Sequence, residues 1–160
     1  MKRIRDGMAR KLAPTHEAVD FFCRELDRHL LRGLPAPERF AIGLLVREAL
    51  TNAVVHGAAH TTYQRAVQSG SASENAAARE CFAEVECEVA PIAGGVVIRV
   101  ADRGTGFDWR RWLRERPQPQ IESGRGLHLL HLYANEVRFL GRGNAVELTR
   151  IFSQGDRHEI

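Results

Sequence analysis

The sequence is poor in cysteine, and its three cysteines, Cys23, Cys81 and Cys87, form no CxxC pair. An odd, scattered set argues against a disulfide framework and offers no zinc-ligand pattern. Cys81 and Cys87 read instead as small strand residues. Long apolar runs are also missing, since no stretch approaches the roughly 20 apolar residues needed to cross a bilayer. The opening MKRIRDGMARKLAP lacks the continuous apolar core of a secretory signal, so a cytoplasmic address is expected. Neither charge sign is in large excess, with 23 Lys and Arg against 20 Asp and Glu, and direct nucleic-acid binding is not called for. Neither GxxxxGKS/T nor an early GxGxxG occurs, which removes the Walker loop and the Rossmann fingerprint. His16, His29, His60, His131 and His158 show no converging ligand spacing, and no metal is assigned to them.

What is present is ordinary globular usage, 44% hydrophobic and 27% charged, at a length that suits one domain. Residues 1–160 are therefore read as a single domain with an insertion at about 58–80. A first strand fits Met8 to Leu12. The turn Pro14-Thr15 then caps a helix carrying Val19, Phe22, Cys23, Leu26 and Leu30 and ending near Gly33. LPAPER opens a second helix, whose residues from Phe40 to Val54 are so apolar that only a narrow polar stripe remains. From Ala58 to Glu80 the chain turns to Ala, Ser, Gln and Gly, the composition of a mobile or partly helical insertion. CFAEVECEVA and GVVIRVAD, joined by PIAGG, read as adjacent antiparallel strands. Arg103 to Ser123 reads as a long exposed loop, the kind that often forms a lid. A short helix fits GLHLLHLYAN, and EVRFL and AVELTRIF follow as strands separated by GRGN.

Three pieces carry polar groups suited to chemistry. In EALTNAVVHG, Glu48, Asn52 and His56 are spaced by four, so each lies about 40° around and about 6 Å along the helix from the last. Such a stripe is equally what the solvated face of an amphipathic helix gives. DRGTG, with Asp102, Gly104 and Gly106, arrives at the end of a strand, where glycines permit a turn and a close backbone approach. Taken alone it is also an ordinary Asp-Gly turn. GRGLHLL places Gly124, Arg125 and Gly126 at a helix start, where free N–H groups and the helix dipole favour a phosphate; a hinge or a cap has the same composition.

In this order, a carboxylate-amide helix, a strand ending in DxGxG, a lid and then GxGL, the chain resembles the GHKL ATPases, which include gyrase, heat-shock chaperones, MutL and histidine kinases. EALTNAVVHG, DRGTGFDW, SGRGLHLLHLYANEV and GNAVELTRIF further resemble the stand-alone anti-sigma factor serine kinases of bacterial partner switching. The resemblance runs from about Met8 to Phe152, apart from the insertion. It implies an α/β fold: a two-layer sandwich with a mixed sheet covered on one face by three helices, the GHKL or Bergerat ATP-binding fold.

The resemblance also implies roles. Glu48 matches the general base that activates the attacking hydroxyl, and Asn52 the amide that holds Mg²⁺ on the phosphates. Asp102 matches the carboxylate that accepts from the adenine amine, with Gly104 and Gly106 turning the chain beneath the base. Gly124 and Gly126 match the glycines that let lid and helix close on the phosphates. Arg125 can add charge there, and His56 can contact phosphate or cap its helix. Trp109 and Trp112 are read as anchors of the lid or contacts for a protein partner, in preference to a stacking platform for nucleic acid. The implied function is an ATP- and Mg²⁺-dependent protein serine/threonine kinase that binds a sigma factor and phosphorylates an anti-anti-sigma partner of the STAS type. No direct nucleic-acid or membrane contact is implied, and a homodimer is the family's expectation. The alternatives are an ATP-binding domain acting with a histidine kinase and a non-catalytic module that sequesters a partner.

Overall fold

Ala41-Ile42, Leu45-Val46, Ala49-Leu50 and Ala53-Val54 recur every four residues, which gives one long helix a broad apolar face. In the computed structural model, which describes residues 6–57, 84–115 and 125–152, this is helix α2 (Ala36–His56), and all of these side chains are buried. Pro37 lies in its first turn, where a missing N–H costs nothing. The preceding helix, α1 (His16–Leu26), starts where expected, with the Thr15 hydroxyl accepting from the Ala18 N–H at 3.2 Å. It continues into one π-helical turn, Asp27–Leu31.

The described strands form one sheet in the order β1-β2-β3-β5-β4, with β1 (Met8–Leu12), β2 (Val85–Ile92), β3 (Gly95–Ala101), β4 (Glu136–Leu140) and β5 (Ala145–Ile151). The two-layer α/β sandwich is as expected. The sheet is not mixed, however, because every described pair is antiparallel. The reason is topological. β3 and β4 run the same way on either side of a helix-containing crossover, but β5 folds back into the gap between them and is antiparallel to both.

One sheet face is the core. Val85, Cys87 and Val89 stand beside Val96, Ile98 and Val100, and Leu148 continues the layer, all buried beneath α2. Burial raises the Cys87 thiol to about 12, because the thiolate would lose its hydration. The other face carries a line of alternating charge across strands: Glu88 to Arg99 at 3.2 Å, Arg99 to Glu147 at 2.8 Å and Glu147 to Arg138 at 3.4 Å. Exposed pairs of this sort contribute at most about 1 kcal/mol each, so they keep the face soluble more than they hold the sheet. Arg150 differs, because its strand position turns it to the core side. There its guanidinium meets Glu38 at 2.9 and 3.2 Å and donates to the Tyr133 carbonyl at 3.0 Å, tying α2 to β5 and to the end of α4 (Arg125–Tyr133).

Two expectations give way. The span Arg103 to Ser123 is not simply a loop, since α3 (Trp109–Glu115) lies within it. The Asp108 carboxylate accepts the Arg111 N–H at 2.9 Å and an Arg111–Glu115 pair at 2.9 Å spans one turn, so local bonds stabilise a helix too short to show periodicity. Phe40, counted with the apolar face of α2, is 60% exposed and meets the Tyr133 ring edge-on at 5.7 Å. The insertion at about 58–80 and Cys81 lie outside the described residues.

Candidate functional site: a cleft between α2, α4 and the end of β3

The polar stripe of α2 does not face open solvent along its length. α4 crosses it, and the crossing point is Gly126. A Cβ built there would stand 3.0 Å from Glu48 Oε2 and 3.2 and 3.3 Å from Asn52 Oδ1 and Nδ2. A bare Cα is thus what allows the first turn of α4 to lie against the Glu48 carboxylate and the Asn52 carboxamide. Arg125 opens α4 and is exposed, at the end where unpaired N–H groups and the dipole favour an anion. Gly124 lies outside the described residues. Arg47, the neighbour of Glu48, is turned toward α1, where its hydrogen bond lowers the Asp20 carboxyl.

Asp102 leaves the end of β3 and is held from several sides. Its Oδ1 accepts the Gly104 N–H at 2.6 Å, an Asx turn. Its own N–H donates to the Asn144 carbonyl at 2.9 Å, and Asn144 Nδ2 donates back to the Asp102 carbonyl at 2.8 Å. Gly57 supplies the floor, since a Cβ there would be 2.1 Å from the Ala53 carbonyl oxygen and 2.8 Å from Asp102 Cγ. Gly106 is the glycine that turns the chain: its φ is +75°, and a Cβ would lie 2.1 Å from the Arg142 carbonyl oxygen. Gly104 contributes through its N–H.

Between these two ends lies a cavity of about 320 Å³, lined by Asn52, His56, Asp102, Gly106 and Trp112 and walled by Ala49, Ala53, Val100, Leu127, Leu130, Phe139 and Val146. Its size is at the lower end of the roughly 300–1,000 Å³ usual for small-molecule sites. The lining is mostly apolar and carries the Asp102 carboxylate and the Asn52 carboxamide among its few polar side chains. His56 sits at the exposed rim, on the last turn of α2. The structure therefore brings Asn52, His56, Asp102 and Gly106 onto one cavity, with Gly126 set against Glu48 and Asn52 beside it.

The residues present fit a ligand rich in hydrogen-bond acceptors, such as a nucleotide. Asn52 Nδ2 is buried without a hydrogen-bond partner among the described residues, a cost that a bound polar ligand would remove. Among the described residues no group of three or more His, Cys, Asp or Glu could hold a metal. If a nucleotide brought Mg²⁺ into the cleft, Asn52 Oδ1 would be the side-chain oxygen to hold it.

Sequence reading singled out neither Asn144 nor Gly57. Asn144 was hidden in a hairpin turn, GRGN, and its partner is 42 residues away. Gly57 ends the EALTNAVVHG stretch, and a glycine directly after a helix usually signals only a cap. The two tryptophans of α3 point inward. Trp109 stacks on Phe139 at 5.9 Å between centroids, and Trp112 stacks on His131 at 5.5 Å. His128, at the start of α4, meets the edge of Trp112 at 5.3 Å.

Comparison with known proteins bears on the fold and the family. No curated protein matches the sequence closely enough to serve as a relative. Among solved structures, the chain is similar to the crystal structure of the RsbU and RsbW domains of Rv1364c from Mycobacterium tuberculosis, with a TM-score of 0.56 and 18% identity. That match covers 91% of this chain and 31% of the other, so the likeness is one of fold and concerns less than a third of the larger protein. A family model described as the histidine kinase-like ATPase domain matches residues 12–150, which includes every element from α1 to β4 and nearly all of β5. The chain belongs to the histidine kinase-like ATPase domain family.

Proposed function

We propose that the protein is an ATP-dependent protein serine/threonine kinase that also binds a sigma factor, working in the cytoplasm and switched by phosphorylating an anti-anti-sigma protein of the STAS type. The observation that carries this reading is the contact at Gly126, which sets a carboxylate and an amide against the start of α4 beside a cavity that ends in Asp102. The fold shared with a structure containing an RsbW domain supports the same direction.

Each residue has a definite task on this account. Asp102, held by Gly104, Asn144 and the close approach of Gly57, accepts from the exocyclic amine of adenine, while the apolar walls exclude water from the ring faces. Asn52 would hold Mg²⁺ through its Oδ1, and Arg125 with the first N–H groups of α4 would receive phosphate oxygens. Bound Mg²⁺ supplies neutralisation of the phosphate charge. Glu48 accepts the proton of the attacking serine or threonine hydroxyl. Little covalent chemistry is asked of the protein, because positioning and electrostatics account for most of phosphoryl transfer.

The test is transfer of label from γ-labelled ATP to a STAS-type protein from the same genome. Acid-stable label on serine or threonine that disappears with Glu48→Ala is expected. Acid-labile label would point to histidine chemistry, and absence of label with intact partner binding would leave a sequestering module.

A further inference from the structure

Among the described residues, two buried side-chain polar atoms lack a hydrogen-bond partner, Asn52 Nδ2 and Trp112 Nε1, and both residues line the same cavity. The Asn52 amide is accounted for by the phosphate end of the site. Trp112 is not, and it lies on the segment between β3 and α4.

Among the described residues, nothing packed against Trp112 asks for an indole. Its ring lies nearly parallel to His131, at 13°, and edge-on to His128 at 61°, so α4 fixes its plane. α3 is held independently by the Asp108 cap and by the Trp112 backbone N–H donating to the Asp108 carbonyl at 3.1 Å. A phenylalanine could make the same ring contacts without burying a donor, and an unsatisfied buried donor is a standing cost. That cost disappears if the cavity's ligand brings an acceptor.

We propose that Trp112 is a nucleotide-contacting residue whose indole N–H donates to an oxygen of bound ATP, a sugar hydroxyl or a phosphate oxygen. This rests on the ATP reading above and adds a contact to it. The lid helix then does more than cover the site, because seating Trp112 on α4 completes the ligand's hydrogen bonds. It also makes binding visible, since Trp112 would report on occupancy while Trp109, stacked outside the cavity lining on Phe139, would not.

The test is calorimetric titration of the full chain with MgATP, comparing wild type, Trp112→Phe and a variant carrying benzothienylalanine at position 112, which keeps the bicyclic shape and lacks the N–H. Both variants are expected to bind about 3- to 10-fold more weakly, the usual worth of one hydrogen bond. In Trp109→Phe, where Trp112 is the remaining tryptophan, emission should change on saturation; in Trp112→Phe it should not. Wild-type binding with an unaffected benzothienylalanine variant would overturn the contact alone, because a packing role would survive that replacement. No binding by the wild type would overturn the contact together with the ATP reading.

Discussion

Replacing Gly126 with alanine should separate stability from chemistry. Gly126 is the second residue of α4, where alanine gains at most about 1 kcal/mol of helix propensity over glycine. Against this stands the new methyl group, 3.0 Å from Glu48 Oε2 and 3.2 Å from Asn52 Oδ1. Both neighbours are the far ends of side chains, so they yield by a few tenths of an ångström and the backbone stays in place. The fold should therefore melt within a few degrees of wild type. The displaced groups are the proposed base and the proposed cation ligand. Since a 1 Å misplacement costs on the order of 100-fold in rate, a shift of a few tenths should cost about 3- to 10-fold. The assay pairs a thermal melt with the rate of label transfer from γ-labelled ATP to the STAS-type partner. An unchanged melt with unchanged turnover would refute the assignment of Glu48 and Asn52, and a large drop in Tm would show that the contact is rigid packing.

Other substitutions probe other parts of the account. Gly57→Ala should do the opposite of Gly126→Ala, because its Cβ would meet the Ala53 carbonyl at 2.1 Å, and backbone cannot retreat; a loss of about 1–3 kcal/mol in urea unfolding is expected, with weaker ATP binding as Asp102 is pushed aside. Glu38→Ala leaves Arg150 without its carboxylate in a site where the glutamate side chain is 5% exposed, and a loss of about 3–5 kcal/mol is expected from denaturant melts. Cys87, raised to about 12 from 9.0, stays neutral in the folded chain while the unfolded chain ionises; between those values stability should fall with rising pH by up to about 1.4 kcal/mol per pH unit relative to Cys87→Ala. Below pH 9.0 the thiol is neutral in both states and contributes no slope. The same burial should leave Cys87 slow to react with thiol reagents at pH 8, read by peptide mapping.

Strand β1, the Thr15 cap, the central helix and the hairpin of β2 and β3 were legible because each is written in local pattern: alternation, a cap residue, pairs of apolar residues every four positions. The polar stripe Glu48, Asn52 and His56 was legible for the same reason, as a break in that pattern. What local pattern could not carry was distance in the chain. The bond from Asn144 to the Asp102 carbonyl spans 42 residues, and the buried pair of Glu38 with Arg150 spans 112. The antiparallel character of the sheet depends on where β5 inserts, which no strand's own residues declare. α3 was missed because seven residues give too little periodicity, while the Asp108 cap that stabilises it looks like any loop aspartate. Gly126 and Gly57 were visible as glycines, but the reason for each, a side chain or a carbonyl within a methyl group's reach, belongs to the packing.

The claim on which the rest depends is that the cleft takes ATP with Asp102 reading the base. The direct measurement is calorimetric titration of the full chain with MgATP, beside Asp102→Asn, which keeps the shape of the side chain while replacing a carboxylate oxygen with an amide donor. Saturable binding by the wild type, weakened at least about tenfold in the variant as expected when a buried acceptor is replaced by a donor, is the predicted result. Wild-type protein that takes up no nucleotide, or a variant that binds as tightly as wild type, would contradict it.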